Sequence, residues 1–291
     1  MSTIVTNKNL AHKQLISSFF KEMEKGNTSD TKEILKKCVV FLKFFKKRKM
    51  NLIIDVGNTR VKAAVFEIDT MINIVVFDKK RILSEIKKIL KKYAISNGIM
   101  SNVASISDFE LKKLQSLFQL IVLSSSTKVP FVNLYKTPKT LGVDRIALAT
   151  GAISQFPNKD VLVIDAGTCI TFDFVNSNKE YLGGAISPGI QMRFDSLNYF
   201  TANLPLLEKE KITNFIGGNT NESINSGVVN GVIQEIDGII NQYKIKYLDL
   251  TVVLTGGNTN FLSKQLKSSI FANQNFLLQG LNKILIFNLD K

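Results

Sequence analysis

The stretch of sequence that decides the fold occurs twice, as LIIDVGNT at residues 52–59 and as VLVIDAGT at residues 161–168. Each copy is an apolar run that ends in Asp-x-Gly, which predicts a buried strand, a tight turn and a returning strand. The two aspartates, Asp55 and Asp165, are 110 residues apart, a spacing too long for a solenoid repeat. The repetition therefore predicts a duplicated domain whose two related lobes face each other across a cleft.

Strands and helices alternate along the rest of the chain. Apolar residues recur at helical spacing within 82–90, and Ser107 followed by Glu110 has the sequence of a capping box. Further helices are expected near 144–156 and 222–243. This alternation predicts an α/β fold.

The composition changes abruptly at Met50, just before the first apolar strand. Residues 1–49 contain 12 Lys and Arg against 4 Asp and Glu, which is +8 of the chain's net charge of +14. The simpler interpretation is an upstream extension or a start-site artefact, and the alternative is a basic helix that binds a membrane surface or a partner. We therefore expect an extension at 1–49, an N-terminal lobe at 50–157 and a C-terminal lobe at 158–291.

The few histidines and cysteines exclude several classes of enzyme. The 291 residues include one histidine, His12, and two cysteines, Cys38 and Cys169. A Ser-His-Asp or Cys-His hydrolase needs an imidazole near the core, and a structural zinc site needs four Cys or His ligands. Two widely separated cysteines form no disulfide framework, which is typical of the reducing cytoplasm. Proton transfer must therefore depend on carboxylates, lysine or tyrosine.

The basic charge does not by itself indicate nucleic-acid binding. Outside residues 1–49 the remaining excess of +6 is spread mainly over lysine-rich helical faces, which are typical of solvated surfaces. The apolar run at 38–42 is followed by Lys43 and is far shorter than the ~20 residues that a membrane span needs. We expect a cytoplasmic protein that binds neither nucleic acid nor a membrane.

The first hairpin turn has the residue types that bind a phosphate group. Residues 55–62 read Asp-Val-Gly-Asn-Thr-Arg-Val-Lys, so a carboxylate, backbone N–H groups, short polar side chains and a lysine can face one anion. An ordinary hairpin with a Gly-Asn turn explains this copy equally well. The second copy, residues 165–171, favours phosphate binding, because two such loops on facing lobes can hold a nucleotide from both sides. The chain contains no Gly-x-x-x-x-Gly-Lys-Ser/Thr motif, so a P-loop is excluded.

A third glycine turn, TGGN at residues 255–258, follows a predicted strand in the second half. Its backbone is able to approach an adenosine closely. A strand-to-helix loop capped by Asn258 or Thr259 explains the same residues equally well. Local sequence leaves these alternatives open.

Together the three glycine turns resemble the actin, Hsp70 and sugar-kinase superfamily, and four further segments resemble type III pantothenate kinases. These segments are YKTPKTLGVDR at 135–145, GGAISPG at 183–189, FTANLP at 200–205 and NTNESI at 219–224. They occur in the family's order, and the resemblance extends from about Met50 to the C-terminus. It implies two actin-like (ribonuclease H-like) lobes and the ATP-dependent phosphorylation of pantothenate to 4′-phosphopantothenate, the first step of coenzyme A biosynthesis.

The resemblance also implies roles for individual residues. Asp144 would accept the proton of the substrate hydroxyl, and Asp165 would bind the monovalent cation, K⁺ or NH₄⁺, that the family needs besides Mg²⁺. The residues that would bind ATP are Asp55, Val56, Gly57, Asn58, Thr59, Arg60, Val61, Lys62 and Thr168. The residues that would bind pantothenate are Tyr135, Gly142, Val143, Asp144, Arg145 and Thr220.

The chemistry of Asp144 and Arg145 is reasonable without the resemblance. A carboxylate can accept the proton of a hydroxyl that attacks a γ-phosphate, and a guanidinium can hold the substrate's carboxylate by a two-pronged contact. Without the resemblance, however, an acidic residue at a helix N-terminus explains the pair better.

The resemblance further implies a homodimer with the pantothenate site near its interface. Two departures accompany it: Cys169 stands where alanine is expected, and residues 1–49 have no counterpart in the family pattern. Two alternative functions stay open, because fold alone does not decide function. One is another small-molecule kinase of the same superfamily, and the other is a nucleotide-binding regulator without turnover.

Overall fold

The computed structural model of the protein describes four stretches of the chain: 50–58, 60–102, 106–211 and 214–289. The predicted extension at 1–49 and the predicted ATP ligand Thr59 therefore lie outside the described residues. None of the helices in these four stretches is long and apolar enough to cross a membrane.

A five-stranded sheet is formed by the first half of the described chain. Its strands are β1 (Met50–Val56), β2 (Val61–Glu67), β3 (Thr70–Phe77), β4 (Ile95–Asn102) and β5 (Gln119–Val122). The strand order is β3-β2-β1-β4-β5. The pairs β1–β2 and β2–β3 are antiparallel, whereas β1–β4 and β4–β5 are parallel.

The second sheet repeats this arrangement and adds one strand. Its strands are β6 (Val132–Asn133), β7 (Val161–Ala166), β8 (Cys169–Val175), β9 (Glu180–Pro188), β10 (Thr251–Thr255) and β11 (Phe271–Ala272). The order is β11-β10-β7-β8-β9-β6, with β7–β8 and β8–β9 antiparallel and β7–β10 and β10–β11 parallel. Strands β9 to β11 thus match β3 to β5 in position and direction. The predicted duplicated α/β fold is confirmed.

The helices of the described stretches are α1 (Ile82–Lys92), α2 (Asp108–Gln115), α3 (Val143–Gln155), α4 (Ile190–Phe200), α5 (Thr220–Asn225), α6 (Gly231–Lys246), α7 (Thr259–Leu262) and α8 (Phe276–Leu289). Short 3₁₀ turns occupy Lys79–Arg81 and Pro138–Thr140. The capping box predicted for α2 is present, because the Glu110 N–H donates to Ser107 and the Ser107 N–H donates to Glu110. The long helix predicted at 222–243 is interrupted by a π-helical turn at Ser226–Asn230.

A shared core lies between the two sheets and contains α3 and α8. Ile53 from the first sheet and Val163 from the second are fully buried in one cluster with Ala147 of α3 and Leu281 of α8. The last helix contacts β1 and β4, so it packs against the first sheet although it follows the second in sequence. The lobe boundary after residue 157 stays a prediction.

The outer face of each sheet is also covered by helices. Ile86 of α1 packs against the first sheet, and Phe194 of α4 and Ile236 of α6 pack against the second. Because both faces are covered, β1 from Leu52 onward and β7 are apolar until each reaches its aspartate, Asp55 or Asp165. The sheets therefore bring these two carboxylates to the carboxyl ends of their central strands.

Candidate active site

The two hairpins contribute one aspartate each to the same cleft. In the first hairpin Asp55 lies opposite Lys62, and in the second hairpin Asp165 lies opposite Thr171. The cleft has a volume of about 360 Å³ and is lined by both hairpin turns and by residues 255–258. The three glycine turns that the sequence singled out therefore meet at one site.

The third glycine turn is tied to the second hairpin by a backbone hydrogen bond. The Asn258 N–H donates to the Ala166 carbonyl at 2.9 Å, and Asn258 is also the N-cap residue of α7. Gly256 has a φ of +94°, and a Cβ there would lie 2.3 Å from Oδ1 of Asp165. Any side chain at this position would displace the Asp165 carboxylate.

Burial raises the pKa of both aspartates. The pKa of Asp55 is raised to about 6, chiefly by burial, while Lys62 lowers it and the charge of Asp144 raises it. The pKa of Asp165 is raised to about 7, chiefly by burial and next by Asp144, while Lys62 acts in the opposite direction. The three carboxylates therefore interact electrostatically. Such a cluster of negative charge favours a bound cation.

Asp144 lies in the first turn of α3, where the helix dipole favours a carboxylate. Its Oδ1 accepts a 2.8 Å hydrogen bond from the Arg145 N–H. A Cβ at Gly142, the N-cap residue, would lie 2.4 Å from the same oxygen. Glycine therefore leaves room for the carboxylate at the helix N-terminus, a geometry that suits a helix-terminal residue and a proton acceptor equally.

Arg145 is buried in a polar network and not free at the surface. Its Nε donates to Oδ1 of Asp173 at 2.7 Å, and the side chains of the two residues are 6% and 0% exposed. The Tyr181 hydroxyl donates to the same oxygen at 2.7 Å, and the Thr171 hydroxyl donates to Oδ2 at 2.9 Å. The Nη2 of Arg145 is buried without a hydrogen-bond partner among the described residues. Because Asp173 occupies Nε, a two-pronged contact with a ligand would use the two Nη atoms.

The residues predicted to bind ATP divide between the cleft and the core. Asn58 and Arg60 are exposed at the first turn, and Thr168 is exposed at the second. Val56 and Val61 are fully buried in the outer core of the first sheet. Their side chains point away from the cleft, so only their backbone groups are available to a nucleotide.

The residues predicted to bind pantothenate are only partly brought together. The Tyr135 ring lies over the Arg145 guanidinium, 5.6 Å from its central carbon, and Val143 packs at the edge of the shared core. Thr220 lines a separate cavity of about 680 Å³ between α4 and α5. That cavity and the cleft have no lining residue in common, and Tyr135, Asp144 and Arg145 line neither of them.

Some residues of the site carry no recognisable motif. Gln274 and Leu277, at the start of α8, line the cleft although they are far from both hairpins in sequence. Asp173 and Thr171 share one face of β8 because they are two residues apart. A charged residue inside the apolar run of β8 is the signal that identifies Asp173, since a buried charge requires partners.

No three His, Cys, Asp or Glu side chains of the described stretches converge closely enough to hold a metal ion by themselves. The cleft carboxylates suit instead a cation that also takes phosphate oxygens and water, which is the usual arrangement for Mg²⁺. The raised pKa values of Asp55 and Asp165 agree with this fit, because a nearby cation would relieve the cost of their burial.

The family model and the most similar relatives that follow all have the same description. The family model described as type III pantothenate kinase matches residues 51–242. A type III pantothenate kinase of Christiangramia forsetii is 51% identical over 243 residues, which are 82% of this chain and 99% of the relative. A type III pantothenate kinase of Flavobacterium johnsoniae is 46% identical over 244 residues, which are 83% of this chain and 99% of the relative. A type III pantothenate kinase of Bacteroides fragilis (strain YCH46) is 44% identical over 240 residues, which are 82% of this chain and 98% of the relative.

A solved structure is similar in fold. A crystal structure described as a Baf family transcriptional activator from Campylobacter jejuni matches with a TM-score of 0.55 at 22% identity. The match covers 82% of this chain and 100% of that one. At this identity the similarity concerns the fold alone.

Proposed function

The chain belongs to the type III pantothenate kinase family, and from this membership we infer that it transfers the γ-phosphoryl group of ATP to pantothenate. The product, 4′-phosphopantothenate, is that of the first step of coenzyme A biosynthesis. The observation that carries the proposal is that Asp55 and Asp165 line one cleft and that the charge of Asp144 acts on both of them. Two phosphate-binding turns and a third carboxylate are what a kinase of this class requires.

We propose that the ATP phosphates bind between the two hairpin turns. Asn58, Arg60 and Thr168 are exposed there, and Lys62 lines the same cleft. Lysine and backbone N–H groups offset the charge of phosphate oxygens. Asp55 would help to hold Mg²⁺ together with those oxygens, and the ion supplies charge neutralisation on the phosphoryl group.

Asp144 is proposed as the proton acceptor. The pantothenate hydroxyl oxygen forms a bond to the γ-phosphorus while the bond from that phosphorus to the β–γ bridging oxygen breaks. The hydroxyl proton goes to the Asp144 carboxylate, and ADP is the leaving group. Support comes from the effect of Asp144 on the pKa of both hairpin aspartates, since this effect requires proximity to the phosphate site.

Asp165 is proposed to bind the monovalent cation, K⁺ or NH₄⁺. The residue opposite it is Thr171, which carries no charge, whereas Asp55 has Lys62 opposite. Burial raises the pKa of Asp165 to about 7, so its charged form is disfavoured until a cation offsets it. A partly buried carboxylate with no cation in its own hairpin favours an ion from solution.

A homodimer is proposed, as family membership implies. Thr220 lines a cavity that shares no lining residue with the cleft, which supports a pantothenate site completed by a second copy. Exposed apolar side chains occur at the end of α4 and in the segment before α5: Tyr199, Phe200, Phe215 and Ile216. Exposed apolar groups of this kind are typical of contact surfaces. We further propose that this enzyme works in the cytoplasm.

The decisive experiment supplies purified protein with ATP, Mg²⁺, K⁺ and pantothenate and measures 4′-phosphopantothenate by mass spectrometry. We expect turnover of pantothenate and little turnover of other hydroxylated acids or sugars. Faster turnover of another acceptor would point instead to a different kinase of the superfamily. ATP binding with no turnover of any acceptor would point to a regulator.

A further inference from the structure

Asp173 is a buried carboxylate that does not line the cleft, although its charge is one of the causes that raise the pKa of Asp165. It accepts hydrogen bonds from the side chains of Arg145, Tyr181 and Thr171, at 2.7, 2.7 and 2.9 Å. Asp173 and Tyr181 are 0% exposed and Arg145 is 5% exposed. A carboxylate with three side-chain donors is held in one orientation.

The same bonds leave the guanidinium of Arg145 incompletely paired. Tyr181 shares Oδ1 of Asp173 with Arg145, and Thr171 takes Oδ2. Asp173 therefore meets Arg145 through Nε alone, and Nη2 stays buried without a partner in the described part of the chain. A buried N–H donor without an acceptor is costly, so its retention favours a binding role.

The surroundings of Arg145 indicate which acceptor would fill that position. Arg145 follows Asp144 directly, and the rings of Tyr135 and Tyr181 lie 5.6 and 5.9 Å from its guanidinium. Tyr181 is fully buried, whereas Tyr135 is partly exposed, so Tyr135 is the ring that can move aside for a ligand. The anionic group of pantothenate is its carboxylate, which is the natural partner of a guanidinium.

We propose that Asp173 is a positioning residue for the kinase reaction: it holds Arg145 so that its Nη atoms, of which Nη2 has no partner among the described residues, bind the carboxylate of pantothenate. The inference rests on the proposed function, since it takes pantothenate as the substrate. The negative charge of Asp173 would oppose the substrate carboxylate, but three side-chain donors, from Arg145, Tyr181 and Thr171, offset part of that charge. Orientation of Arg145 therefore outweighs this repulsion, and the enzyme prefers the acid to a neutral analogue.

The test compares pantothenate with pantothenol, in which a hydroxymethyl group replaces the carboxylate. Asp173→Asn keeps the shape but weakens the hold on Arg145. We expect its kcat/KM for pantothenate to fall about tenfold or more through KM, because small misplacements of a binding group have effects of this size. The KM for ATP and the kcat/KM for pantothenol should change little, so the preference for the acid falls by the same factor.

A second buried aspartate provides the matched control. Asp237 is 7% exposed and accepts the N–H groups of Lys267 and Ser268 at 3.1 Å each, away from the cleft. Asp237→Asn should lower the melting temperature without altering the preference for the acid. If Asp173→Asn does not fold, Tyr181→Phe removes one donor to Asp173 and should reduce the preference in the same direction.

The outcomes separate the two proposals. A wild-type enzyme that phosphorylates neither compound would overturn the proposed function, and this inference with it. An active wild type whose preference is unchanged in Asp173→Asn and in Tyr181→Phe would overturn the positioning role alone. An equal loss of preference in Asp237→Asn would also overturn it, because the effect would then be a general consequence of instability.

Discussion

The two hairpins share one backbone frame but differ in what faces each aspartate. Asp55 lies between Lys62 on one side and Ser101 on the other, whereas Asp165 lies between Thr171 and Thr255. The residues on the parallel strands, Ser101 and Thr255, both carry a hydroxyl. The residues on the antiparallel strands differ, because Lys62 is charged and Thr171 is not. The first aspartate has a cation within its own hairpin, and the second does not.

The turns differ as well. The last paired residues are Val56 with Val61 in the first hairpin and Ala166 with Ile170 in the second, so the second turn is one residue shorter. Farther along the same face, the first hairpin has Ala64 opposite Ile53, where the second has Asp173 opposite Val163. The duplicated frame is thus preserved, and the lobes have specialised through single positions on the returning strand.

The largest effect should come from removing the carboxylate of Asp144, whose charge raises the pKa of both hairpin aspartates. Asp144→Asn keeps the shape but cannot accept the hydroxyl proton, so kcat should fall ~10²- to 10⁴-fold while ATP binding persists. Steady-state kinetics together with ATP titration measure the two effects. A folded variant with near-normal kcat would show that Asp144 is only a helix-terminal residue.

The next effect tests whether the second aspartate depends on an ion from solution. Asp165→Ala should abolish activation by K⁺ or NH₄⁺, and the wild type should be poorly active with Na⁺ alone. Rates measured across a series of monovalent chlorides give the answer. Wild-type turnover that is indifferent to the monovalent ion would contradict the role of Asp165.

A smaller effect should follow from giving the second hairpin the charge of the first. Thr171→Lys places an ammonium group opposite Asp165, as Lys62 is placed opposite Asp55. The variant should depend less on K⁺ than Thr171→Met, which matches its length without the charge. Both variants lose the hydroxyl that donates to Asp173, so the comparison isolates the charge. Equal K⁺ dependence in the two variants would argue against an ion at Asp165.

A modest effect on stability should follow from the raised pKa values. The folded protein binds protons on Asp55 and Asp165 more tightly than the unfolded chain, whose Asp pKa is 3.8. Stability from these groups is therefore full below that value and is lost as pH rises through about 6 for Asp55 and about 7 for Asp165.

The measurement is the melting temperature of Asp165→Asn against the wild type in buffer without K⁺. The two should be similar near pH 5, and the variant should melt roughly 2–8 °C higher at pH 8, which corresponds to about 1–2 kcal/mol in a domain of this size. Added K⁺ should reduce the difference. A difference that does not grow with pH would contradict the raised pKa of Asp165.

The smallest effect is expected outside both hairpins. Removing residues 1–49 should leave turnover and melting temperature almost unchanged, because the family match begins at residue 51. Kinetics and thermal melts of the truncated chain test this directly. Insolubility, or loss of most of the turnover, would mean that the extension belongs to the working enzyme.

Much of the fold and part of the site followed from local sequence. The repeated apolar run with Asp-x-Gly correctly predicted both hairpins, because strand burial and a tight turn are encoded by neighbouring residues. The π-helical turn at Ser226–Asn230 was not predicted, because Ile224, Val228 and Val232 are four residues apart, a spacing that is typical of one continuous α-helix. Strand alternation predicts the burial of Val56 and Val61, although both lie within the binding loop predicted at residues 55–62.

By itself the sequence determined the duplicated α/β architecture, the two aspartates at the ends of central strands and the family to which the chain belongs. Only the tertiary structure decided that Arg145 pairs with Asp173, that Gln274 and Leu277 line the cleft, and that Thr220 lies in another cavity. The physical reason is the distance along the chain over which the deciding interactions act. Strand and turn patterns depend on neighbours along the chain, whereas a buried ion pair or a cleft depends on which distant segments share one desolvated space.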